Sequence, residues 1–75
     1  MRVWKFDNGI SVEEGNYDGD LHCFWVYDGD TYLGTIYPDT IIDMEDCADA
    51  MDYGTDPITG GWQDGCGHNC TREGW

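Results

Sequence analysis

Asp43, Asp46, Asp49 and Asp52 recur at every third position of one stretch, with Glu45 beside them. On a helix that spacing builds a ridge of fixed negative charge, able to pair with lysine and arginine on a partner. Two copies of Tyr-Asp-Gly-Asp, Tyr17–Asp20 and Tyr27–Asp30, add Asp18, Asp20, Asp28 and Asp30. Further along, Cys66, His68 and Cys70 bring sulfur and nitrogen donors within five residues, and Cys47, Cys23 or His22 could complete a zinc site.

Each pattern has a competing explanation. An EF-hand calcium loop needs oxygen donors at positions 1, 3 and 5, Gly at 6 and Glu at 12. Neither Asp-Gly-Asp stretch supplies that series. Asp and Gly are turn formers, so both copies are expected to be turns. The Cys-x-His-x-Cys spacing departs from the usual zinc pairings, leaving free thiols or one short disulfide as the alternatives to a zinc-binding module. Catalysis has less support. No nucleophile sits beside a histidine in a known arrangement, and no glycine-rich phosphate loop leads to a lysine. The expectation is a protein that is not an enzyme.

Charge dominates the composition. The 75 residues carry 16 Asp and Glu against 3 Lys and Arg, a net charge of −13. No basic residue lies between Lys5 and Arg72, so internal salt bridges cannot neutralise the surface. Such a field repels nucleic acid and anionic membranes and attracts cations or basic partners. Disorder is the other outcome of high net charge, but 4 Trp, 5 Tyr and 2 Phe argue for a folded chain with a small core. The sequence contains neither an 18-residue apolar run nor a charged-then-apolar leader, so a cytoplasmic location with mostly reduced cysteines is expected.

One domain is the limit at this length. Residues 2–6 and 10–14 flank Asp7-Asn8-Gly9, and residues 21–27 and 31–37 flank Asp28-Gly29-Asp30; both read as hairpins. The expected sheet is a four-stranded antiparallel meander over residues 1–37. Its third strand is apolar on both faces, which makes it central and covered on both sides. Pro38 ends the sheet. A helix follows over 39–53, with Asp39 or Thr40 as N-cap, Gly54 past its end, and Ile41, Met44, Cys47, Ala48 and Met51 as its buried stripe. Residues 54–75 lack periodicity and are expected to form an irregular arm, with Trp62 or Trp75 covering the second sheet face. The fold class is therefore α+β.

The helix decides the function class. Like charges at this spacing repel by a few tenths of a kcal/mol per pair, and Asp52 faces the negative end of the helix dipole. Glutamate would keep the charge and favour the helix more. Short aspartates instead hold charges close to the backbone, advancing about 4.5 Å every three residues, whereas B-DNA carries one charge per roughly 1.7 Å of axis. Helix and turns together approach that density. In length, acidity and architecture the chain resembles the small DNA-mimic inhibitors of phages and mobile elements, among them uracil-DNA glycosylase inhibitors, anti-restriction proteins and anti-CRISPR proteins.

That resemblance implies a host-cell inhibitor that binds no nucleic acid itself and blocks the basic groove of a nucleic-acid-binding protein, such as a CRISPR effector or a restriction enzyme. The expected contact residues are Asp43, Glu45, Asp46, Asp49 and Asp52 on the helix, Asp18, Asp20, Asp28 and Asp30 in the turns, and Tyr17, Tyr27 and Trp62 as aromatic anchors. Two alternatives remain beside it: the zinc-binding module, and a merely soluble, salt-adapted accessory domain.

Overall fold

The computed structural model describes residues 1–59 and, as backbone, residues 70–73. In chain order its elements are β1 (Val3–Lys5), β2 (Ile10–Asp18), β3 (Leu21–Asp28), β4 (Thr31–Pro38), α1 (Ile41–Asp52) and β5 (Cys70–Glu73). All neighbouring strands pair antiparallel, in the order β1-β2-β3-β4-β5. The α+β meander and its single helix match the expected fold class. Within the segment expected to be irregular, residues 70–73 extend the sheet as a fifth strand on β4. Trp62, Cys66, His68 and Trp75 lie outside the described residues.

Glycines at positive φ make the three turns: Gly9 at 90°, Gly19 at 58° and Gly29 at 59°. An L side chain is strained there, which is why Asn-Gly and Asp-Gly mark the corners of the meander. Gly29 also donates its N–H to the Gly9 carbonyl at 3.1 Å, joining two turns at one end of the sheet. The Asp18-Gly19-Asp20 turn occupies the other end, where α1 begins.

The helix starts as its capping chemistry requires. Thr40 is the N-cap, its hydroxyl accepting from Asp43 N–H at 3.2 Å and donating to the Asp43 carboxylate at 2.6 Å. This reciprocal pair satisfies one of the first-turn donors and places an acid at the positive end of the dipole. At the far end Gly54, at φ 98°, donates to Met51 O.

The helix covers one face of the sheet. Trp4, Ile10, Val12, Phe24, Val26 and Ile36 pack there against Met44, Cys47, Ala48 and Met51. Each fully buried aliphatic or aromatic side chain contributes about 1.5–3 kcal/mol. Ile41, expected in the buried stripe, is instead partly exposed at the first helical position, outside this core. Trp4 meets Phe24 edge-on, with ring centroids 5.8 Å apart.

β2 runs four residues further than its apolar pattern predicts, through Gly15 to Asp18. Gly15 is admitted for a steric reason. A Cβ at this position would lie 2.6 Å from the end of the Trp25 ring, so the indole occupies the space a side chain would need. Gly15→Ala should therefore lift the indole off β2 and cost about 1–3 kcal/mol. Chemical denaturation together with the Trp25 indole resonance checks this; an unmoved resonance at full stability contradicts it.

Candidate functional site

The acids of α1 divide into two groups. Asp43 is held by its Thr40 cap. Asp52 accepts the Trp4 indole N–H at 2.8 Å, which ties the last helical turn to β1. That bond explains an acid at the unfavourable end of the dipole: it satisfies a buried indole donor that would otherwise go unpaired. Both residues thus have structural work within the chain. Glu45, Asp46 and Asp49 are exposed, and among the described residues no side chain bonds their carboxylates.

At 100° per residue, Ile42, Asp46, Asp49 and Tyr53 fall on one outward line, with Glu45 at its flank. Ile42 is 72% exposed and Tyr53 92% exposed. The ridge is therefore anionic in its middle and apolar at both ends, spanning about 16 Å from Ile42 to Tyr53 at 1.5 Å per residue.

The turn acids are also solvent-facing. Asp18, Asp20, Asp28 and Asp30 are all exposed, in pairs at opposite ends of β3. Tyr17 is exposed and Tyr27 half-buried, and both stand on the sheet face turned away from α1. The structure thus separates the expected contact residues into a helix ridge, two acidic turns and an aromatic sheet face.

Arg2 and His22 are used internally. Arg2 pairs with Glu14 on the core side of β2, its Nη2 donating to Oε2 at 2.8 Å, and its guanidinium lies 5.1 Å from the centre of the Trp4 ring. His22 Nδ1 stands 3.3 Å from the same carboxylate oxygen. Glu14 is only 6% exposed. Burial pushes its carboxyl up, but the hydrogen bonds from Arg2 and the neighbouring His22 ring outweigh that and hold it below the ordinary value. Asp56 is alike: burial raises it, and donors from Thr59, Ile58 and Asn8 bring it below its ordinary value. Asp56 fixes residues 56–59 to the β1–β2 turn.

An open depression of about 380 Å³ is lined by Lys5, Phe6, Asp7, Asn8, Gly54 and Asp56. Its interior carboxylate, Asp56, is occupied by four hydrogen bonds. The zinc expectation falls mostly beyond view, since Cys66 and His68 are outside the described residues and Cys70 is described only as backbone. The suggested fourth ligands are not brought together: Cys47 is buried under the helix, and Cys23 is buried on the opposite sheet face, 3.8 Å from Asn16 O. Among the described residues no cluster of His, Cys, Asp and Glu has the arrangement to hold a metal ion. No described helix is long and apolar enough to cross a membrane.

Sequence reasoning passed over Trp4, Glu14 and Asp56. Glu14 and Trp4 have partners distant in sequence, and no local pattern marks them. Asp56 did carry a signal, since an aspartate often caps the backbone N–H groups two and three residues on. No protein family, curated protein or solved structure matches this chain.

Proposed function

We propose that this chain is a non-enzymatic inhibitor that mimics nucleic acid and occupies the basic groove of a host DNA- or RNA-binding protein. A defence nuclease, such as a CRISPR effector or restriction enzyme, in the host cytoplasm is the expected target. The observation that supports this most is the outward line of α1, where the exposed carboxylates of Asp46 and Asp49, flanked by Glu45, are bracketed by exposed Ile42 and Tyr53. A helix face needed only for solubility gains nothing from exposed isoleucine and tyrosine at its ends. Protein interfaces combine such apolar anchors with charges that set orientation and on-rate.

The mechanism is competition. Carboxylates at about 4.5 Å steps meet lysines and arginines that otherwise hold phosphates, and the end residues exclude water around those pairs. The Asp18-Gly19-Asp20 turn lies at the sheet end where α1 begins and extends the anionic surface there.

The test is capture of partners from host lysate on immobilised protein at low and high salt. A nucleic-acid-binding protein should be retained at about 50 mM salt, competed off by DNA or RNA, and retained at least tenfold less at about 500 mM. Loss of all specific capture, with marked stabilisation of the chain by molar potassium chloride, would mark a salt-adapted domain and overturn the proposal.

A further inference from the structure

The sheet face that α1 leaves uncovered carries Tyr17, Trp25, Tyr27, Tyr32 and Tyr37, spread over β2, β3 and β4. They form two ring pairs around Trp25. Tyr17 and Tyr37 have centroids 4.8 Å apart, and Tyr27 and Tyr32 meet edge-on at 5.8 Å. Trp25 is 38% exposed, and its six-membered ring rests over Gly15. The far edge of the ring thus lies against Gly15, while part of the indole stays open to solvent.

The charges around the platform are negative apart from Lys5, which shares this face at its β1 edge, opposite Ser11 in the row of Tyr27. Glu13 is the cross-strand neighbour of Trp25, and its carboxylate lies against the Tyr27 hydroxyl. Asp18 and Asp20 stand at one end of the platform, Asp28 and Asp30 at the other. A second copy of a chain carrying −13 would meet its own field here, as would any nucleic acid. The group that suits an indole face beside a carboxylate is a guanidinium. It is planar, weakly hydrated, stacks on aromatic rings and donates in a fork to carboxylate oxygens; an ammonium ion is compact and strongly hydrated.

We propose that this aromatic sheet face, centred on Trp25 and Glu13, is a second docking surface that accepts an arginine side chain of the basic partner. The inference rests on the partner being the nucleic-acid-binding protein proposed above, and it is separate from the helix ridge. It gives the exposed rings of Tyr17 and Tyr32 a role that electrostatic mimicry alone does not require.

The experiment titrates the isotope-labelled full chain with an arginine-rich peptide and with a lysine-rich peptide of equal length and charge, at physiological salt. The arginine peptide should move the Trp25 indole N–H resonance and bind about fivefold tighter than the lysine peptide. Trp25→Leu should reduce the arginine peptide to the lysine level; Glu13→Gln, which removes the carboxylate and leaves the ring, should do so in part. Equal affinities for the two peptides, or shifts at other indoles with Trp25 unmoved, overturn the inference. So does a Trp25 resonance that moves on simple dilution, which would place a second copy on this face. Asp46→Lys/Asp49→Lys separates the two proposals. If it abolishes partner capture while the peptides show no arginine preference, this inference alone fails; if it leaves capture unchanged, the helix ridge fails as the contact, and the peptide preference decides this inference by itself.

Discussion

Reversing Asp46 and Asp49 to lysine should lower affinity for the captured partner by at least about 100-fold while leaving the fold intact. Truncating one member of a desolvated charge pair costs about 2–5 kcal/mol, and reversal adds repulsion to that loss. The folded chain has little to lose. Both residues are exposed, and among the described residues no side chain bonds either carboxylate. Lysine is a better helix former than aspartate, positions 46 and 49 remain a like-charged pair but gain opposite charges three or four residues away in Asp43, Glu45 and Asp52, and a cation at position 49 suits the C-terminal half of the helix dipole. Only the weak attraction between Asp49 and Arg2 is given up. The melting temperature should therefore stay level or rise slightly. Asp7→Lys provides the control for net charge: it makes the change of one reversal at the exposed β1–β2 turn and should weaken binding far less than Asp49→Lys alone. Retention of the double variant at wild-type strength sinks the helix ridge as the contact.

Where a backbone angle or a cap dictates the residue, the sequence shows the structure in advance. Gly9, Gly19 and Gly29 mark the turns because each sits at positive φ, and Thr40 with Asp43 marks the helix start because the cap is local. The alternation of β3 likewise separates Phe24 and Val26, in the core, from Trp25 on the other face. Local signals fail where a distant partner decides. Glu14 reads as a solvent residue until Arg2 and His22 are seen around it, and Gly15 reads as a strand end until Trp25 is found over it. The same limit applies to the candidate site. Periodicity shows the four aspartates on one helix, but it cannot separate Asp52, engaged by a tryptophan 48 residues away, from Asp46 and Asp49.

Acid should unfold this chain through two particular carboxylates, even though its net charge falls as the pH does. Glu14 and Asp56 both have folded-state values below their ordinary ones, so the unfolded chain binds more protons than the folded chain in the range between. Their contribution is fully present above the ordinary carboxylate value of about 4 and is lost as the pH falls through the lower folded values. Hydrogen bonds to charged groups are worth about 1.5–3 kcal/mol each in net stability. A domain of this size has roughly 3–5 kcal/mol in all, so losing both carboxylates removes most of it. Neutralising the surface acids relieves self-repulsion and works in the opposite direction. Measurement in about 1 M salt suppresses that background, because the screening length falls to about 3 Å. Under those conditions Glu14→Gln and Asp56→Asn should each be less stable than wild type at pH 7 by about 2 kcal/mol. The difference should close as the pH falls through the lowered folded-state values of the two carboxyls, where the wild-type groups themselves become neutral. Chemical denaturation at several pH values reads this directly. A stability difference that stays constant through the whole acid unfolding range would show that the two side chains act through shape rather than charge, and would overturn this account of acid unfolding.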